Sequence, residues 1–171
     1  PDGKQIAFLA PDAPTEEEEK EKKERGDARV VDRDDKMTHL HVIDLETRKA
    51  RRLTRGRFHV TGLTWSPDGK RIAFSHQPTP IANDMFRATL SEVSASGGRP
   101  QALTDGRGDV ASPTWSSDGR WIAFLSRGVR RGGQVEGQGD DTVTVRAGDA
   151  KEGAKVWKGQ CGACHGANGQ G

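Results

Sequence analysis

Two cysteines and a histidine have the types and spacing to do chemistry: Cys161-Gly162-Ala163-Cys164-His165. Thiols one helical turn apart can reach the two vinyl groups of a porphyrin and form thioethers. The adjacent imidazole then lies under the iron as its proximal ligand, and C-x-x-C-H is the signature of that attachment. Asp149 can cap a helix leading into the motif, with Glu152 three residues on, and Gly153, Val156, Trp157, Cys161 and Cys164 then fall on one face. Two alternatives are open to the pair. A redox dithiol would be expected beside a βαβ pattern, which is not found here. Half of a zinc site, with His165 as third ligand, would need a second pair to close the tetrahedron. Lys151, Lys155 and Lys158 share one side of the same helix, where they can steer an acidic redox partner or simply be solvated.

The stretch from Gly148 to Gly166 resembles the opening of small class I cytochromes c. The resemblance implies haem c as cofactor, Cys161 and Cys164 as its thioether residues, His165 as the axial iron ligand, and electron transfer as the activity. It also implies that Gly153 packs closely against a C-terminal helix and that Trp157 lies beside the haem. The family's distal Met lies well downstream, whereas six residues follow His165 here, and Met37 and Met85 belong to a different part of the chain. Haem at this segment would be five-coordinate or ligated from outside the chain.

The elements that would position this segment are of another kind. Trp65-Ser66-Pro67-Asp68-Gly69-Lys70-Arg71-Ile72-Ala73-Phe74 recurs 50 residues later as Trp115-Ser116-Ser117-Asp118-Gly119-Arg120-Trp121-Ile122-Ala123-Phe124. Leu53-Thr54 and Leu103-Thr104 keep the same offset. A third copy opens the chain as Pro1-Asp2-Gly3-Lys4-Gln5-Ile6-Ala7-Phe8. Asp-Gly is a two-residue hairpin signal, and strands fit Ile-Ala-Phe, His39–Leu45 and Ala88–Val93. Four short strands in about 50 residues, with aromatics in fixed phase, is the pattern of a propeller blade. Asp2 and Asp68 are 66 residues apart, 16 more than the repeat, which places an insertion at 11–36. There Thr15 and Glu18 have the spacing of a capping box, and acid-before-base pairs such as Glu16–Lys20 and Glu18–Lys22 describe a solvated helix or charged loop with no apolar face.

The fold expected is therefore mainly β: an incomplete β-propeller of about two and a half blades over 1–127, then a Gly-rich linker over 128–147, then a short α-helical cytochrome c-type segment over 148–171. Within the linker, Thr142-Val143-Thr144-Val145 has the look of a short strand. Only 32% of the 171 residues are hydrophobic, and mean hydropathy is −0.81, which argues against a large helical core. No apolar run approaches the ~20 residues of a membrane span. Lys+Arg 27 against Asp+Glu 25 leaves +2, too balanced for a nucleic-acid surface.

The repeat unit, the charged insertion and His39-Leu40-His41-Val42-Ile43-Asp44-Leu45 together resemble the N-terminal propeller of prolyl oligopeptidase family serine peptidases, with blades also like those of TolB. In that family the propeller shapes access to the active site, and a C-terminal α/β-hydrolase domain performs acyl transfer. No G-x-S-x-G elbow occurs here, and His39, His41, His59, His76 and His165 form no recognisable triad. No catalytic residue is assigned, and His39 and His41, alternating along a strand, are expected to face solvent or a blade interface. Two functions follow. The first is haem binding and electron transfer by the C-terminal segment, tethered to a non-catalytic scaffold. The second is a substrate-gating or protein-interaction propeller portion of a peptidase, joined to that segment by nature or by assembly. An open set of blades leaves strand edges for self-association. Covalent haem, and periplasmic members of the propeller families, point to an exported protein whose signal is lost.

Overall fold

The computed structural model describes residues 2–25, 36–106, 108–131 and 134–146. Among them are ten strands in three antiparallel sheets. The first holds β1 (Gln5–Pro11), β2 (Thr38–Asp44) and β3 (Ala50–Arg52) in that order. The second holds β4 (His59–Trp65), β5 (Arg71–Gln77), β6 (Thr89–Ser94) and β7 (Gln101–Ala102). The third holds β8 (Ala111–Trp115), β9 (Trp121–Arg131) and β10 (Gln134–Arg146). Sheets of three, four and three strands amount to two and a half units of the repeat.

The repeat is a repeat of hydrogen bonds as well as of letters. The Leu40 N–H donates to Thr54 Oγ1, and the Leu90 N–H donates to Thr104 Oγ1, both at 2.9 Å. Leu53 N and Leu103 N each reach back to the carbonyl of the same partner leucine at 2.8 Å. The conserved spacing of Leu-Thr thus pins the outer strand to its neighbour in two sheets. At the Asp-Gly sites the turn differs from a two-residue hairpin. Pro67 and Asp68 form its centre, Gly69 N–H donates to Ser66 O at 2.9 Å, and Gly69 follows at φ 69°, a left-handed conformation that costs glycine nothing. Gly119 repeats it at φ 69°.

β5 and β6 of the middle sheet are read on both faces. Ile72 and Phe74 of β5 pack with Leu40, Val42, Leu53, Val60 and Val93 between the first and second sheets. Ala73, one residue out of phase, joins Leu90, Leu103, Trp115, Ile122 and Phe124 between the second and third. Side chains alternate across a strand, so a sheet sandwiched between two others must be apolar at consecutive positions, as Ile-Ala-Phe is.

The insertion leaves through a closed neck: the β1–β2 ladder runs to Pro11↔Thr38, and Asp12 N–H donates to Met37 O at 2.8 Å. Beyond it lies α1 (Glu16–Arg25), whose capping box forms as its sequence requires, with Thr15 N–H donating to Glu18 Oε2 and Glu18 N–H donating to Thr15 Oγ1. Lys36 Nζ also reaches Glu18. The 128–147 stretch departs from the linker expected of its glycines. β9 and β10 pair through it, from Trp121↔Arg146 to Arg131↔Gln134, with a register shift between Glu136 and Asp140. Thr142–Val145 lie within β10, and glycines at a shifted register are compatible with a strand that bends. The segment 148–171 lies outside the described residues.

Candidate functional site

β2 begins at Thr38, β4 begins at His59 and β5 ends at Gln77, so one rim of the first two sheets, the rim from which α1 departs, collects three histidines. They gather around Phe58, whose ring centroid lies 5.6 Å from His39 and 4.6 Å from His76, while Phe74 lies 5.4 Å from His76. His59 Nδ1 accepts the Thr38 N–H at 3.1 Å. His39 is fully buried; its Nδ1 is 3.3 Å from Thr54 Oγ1. Its Nε2 stands 3.6 Å from Asp12 Oδ2, too far for a hydrogen bond, and has no partner. Asp12 instead takes Arg52 Nη1 at 2.7 Å. Burial pushes the His39 pKa down, the Arg52 charge pushes it further, and Asp12 offsets part of that. Burial lowers His76 to about 4.

This arrangement has one pair with the geometry of nucleophile and base: His76 Nε2 lies 2.8 Å from Ser91 Oγ. Ser91 is buried, however, and an imidazole with a pKa near 4 is a weak base at neutral pH. No carboxylate orients the ring among its described contacts, so the triad logic is not met. The pair is a part-buried hydrogen bond that satisfies two polar groups between strands. The cluster as a whole ties the neck of the insertion to the junction of the first two sheets.

A second polar junction crosses from the second sheet to the third. Arg71 Nη1 is 3.3 Å from Glu92 Oε2, Arg71 Nη2 donates to Gly119 O at 3.4 Å, and the guanidinium carbon lies 4.7 Å from the centre of the Trp115 ring. Glu92 and Trp115 are both buried. Below it, Asp118 is held down to about 2 by the Ser116 hydroxyl first, then by the backbone and side chain of Arg120. Asp68 is lowered in the same way by Ser66 and the Lys70 N–H.

Of the residues singled out from sequence, Cys161, Cys164 and His165 lie outside the described residues. His39 is at a sheet interface, and His41 is half-buried and stacked on Phe8 at 5.4 Å. Arg71 and its partners were not anticipated, because the position carries Gln5, Arg71 and Trp121 in the three copies and so lacks a repeated signal. Among the described residues no group of three or more His, Cys, Asp or Glu is placed to hold a metal ion.

A family model described as the dipeptidyl peptidase IV (DPP IV) N-terminal region matches residues 3–123. Among solved structures, one from a structural and mechanistic analysis of two prolyl endopeptidases superposes with a TM-score of 0.51 at 19% identity, over 67% of this chain and 18% of that one. TolB from Acinetobacter baumannii gives 0.48 at 20% identity, over 90% of this chain and 29% of that one. The tricorn protease gives 0.46 at 18%, over 62% and 11%. In each case the chain spans well under half the length of the solved protein. A search of curated proteins found no match.

These findings correct the expectation of haem binding and electron transfer as the function, and with it iron, haem c and cytochrome c. That expectation rested on the stretch from Gly148 to Gly166, centred on Cys161 to His165. The family match rests on residues 3–123, and the fold around them is that of a peptidase-family propeller.

Proposed function

The chain belongs to the dipeptidyl peptidase IV N-terminal region family, and from that premise we propose that it is the substrate-gating or protein-interaction propeller portion of a serine peptidase. Acyl transfer is then the work of an α/β-hydrolase domain outside these 171 residues. The match over residues 3–123 is the observation that carries this reading. The side chains support it. Among the described residues the Ser–His pair joins a buried serine to a poorly basic imidazole, while the polar groups with partners join sheet to sheet and sheet to insertion. Blades held together in this way offer a rim, and the rim bearing α1 and the 78–88 connection is the face assigned to gating. That connection presents Ile81 and Phe86 to solvent, on and beside the 3₁₀ helix Ala82–Arg87.

An exported location belongs to the same proposal, resting on the propeller families the repeat resembles. Among the described residues no helix is long and apolar enough to cross a membrane. The test is a fluorophosphonate probe, which labels activated serines. The 171-residue chain is expected to take up no probe and to leave aminoacyl-p-nitroanilides uncleaved. Labelling of any serine in it would contradict a non-catalytic part.

A further inference from the structure

Six of the ten residues from Arg48 to Arg57 are Lys or Arg, and none is acidic. They form the outer strand β3 and its flanks. Arg52 is committed to Asp12 and to the Thr54 carbonyl. Arg51 lies opposite Val42 in register, on the side facing the second sheet, and one of its terminal nitrogens donates to the Ala95 carbonyl. Arg48, Lys49, Arg55, Arg57 and, across the gap, Arg99 are exposed and have no ion pair among the described residues. Between β3 and the turn joining β6 to β7 is a cavity of about 400 Å³, lined by Arg51, Arg52, Arg55, Ser96, Gly97 and Pro100 among others. Its far wall is backbone. Gly97 and Gly98 stand at φ 103° and 127°, and the space where a Gly98 side chain would sit is open.

We propose that this groove binds an acidic peptide segment, taking one or two Asp or Glu carboxylates between Arg51 and Arg55. Guanidinium groups hold carboxylates by paired hydrogen bonds. The edge of β3 away from β2 is unpaired among the described residues, so an extended segment can lie along it as an added strand. A nucleic acid fits less well. The arginines line a small cavity rather than a long stripe, and the net charge is only +2.

Fluorescence anisotropy tests this with the full chain and three dye-labelled probes: an eight-residue Asp/Glu peptide, its Asn/Gln counterpart, and a single-stranded oligonucleotide of equal charge. The acidic peptide is expected to bind, more weakly as salt rises, and to outcompete the other two. R51Q/R55Q is expected to lose about tenfold in affinity. K20Q/K23Q, with the same charge change on α1 and away from the groove lining, is expected to lose no more than about twofold. Because R51Q also removes the bond to Ala95, R55Q alone serves as the folding-neutral variant, with an expected loss of about threefold. Equal losses in the two double variants, preference for the oligonucleotide, or no binding of the acidic peptide would each overturn the proposal.

Discussion

A buried imidazole, a half-buried one and a buried carboxylate give this chain its sharpest single-residue behaviour. His76 titrates at about 4 in the folded chain against an ordinary 6.5, so below pH 6.5 the unfolded chain takes up a proton that the folded chain refuses. Stability from this site is complete above pH 6.5 and is lost as the pH falls towards 4. His39, also lowered by burial, adds to the slope in the same direction. The urea midpoint is expected to fall between pH 7 and pH 4.5, and His76→Asn to flatten part of that fall while keeping a hydrogen-bonding group beside Ser91. Arg71 acts through its neighbours. Arg71→Gln leaves the buried Glu92 carboxylate without its cation and strips the charge from the Trp115 face. A loss of about 2–3 kcal/mol is expected from chemical denaturation, below the range for a fully buried pair because Arg71 is a third exposed. Removing both charges in R71Q/E92Q is expected to recover part of it.

At the scale of elements, caps and pins decide local order, and their effects separate cleanly. Thr15→Ala breaks the capping box of α1, at a cost of about 1 kcal/mol. The helix buries no apolar face, so amide exchange in its first turn should quicken while the global unfolding midpoint stays within error. Phe74→Ala, in contrast, empties the centre of the first inter-sheet core and is expected to lower global stability by about 3–5 kcal/mol. Much of this was legible beforehand. The 50-residue offset yields β4 to β7 with their Leu-Thr pins, and Thr15-x-x-Glu18 yields the helix start, because both are encoded by residues near one another in sequence. The turn at Asp68-Gly69 was half legible. Glycine marked the place, but the turn is centred one residue back, at Pro67-Asp68 and again at Ser117-Asp118, with the Ser66 and Ser116 hydroxyls donating to the aspartates. What could not be read was contact between sheets. Arg71 meets Gly119 48 positions away, and no local pattern announces a partner at that distance. The Gly-rich stretch failed in the opposite sense, since composition marked it as linker where β9 and β10 pair. The expectation of haem binding failed differently again. A short motif with a clear chemical rationale outweighed, on sequence alone, a repeat covering most of the chain.

For the whole molecule, the repeat says what each open face is made for. Ile6, Phe8 and Ile43 on the outward side of the first sheet are the counterparts of Ile72, Phe74 and Val93, which are buried between sheets. Ile6 is 51% exposed. The 171-residue chain alone is therefore expected to self-associate at high concentration in sedimentation velocity, and Ile6→Lys to shift it towards monomer. In a longer product that carries these blades beside a hydrolase domain, the same face would be covered and the rim with α1 and the 78–88 connection would control entry. Replacing residues 78–88 by a short Gly-Ser link in that gene product, and comparing kcat/KM for a 30-residue peptide with that for an aminoacyl-p-nitroanilide, tests gating most directly. The ratio is expected to rise in favour of the long peptide with the small substrate nearly unchanged. An unchanged ratio, or equal loss on both substrates, would contradict it.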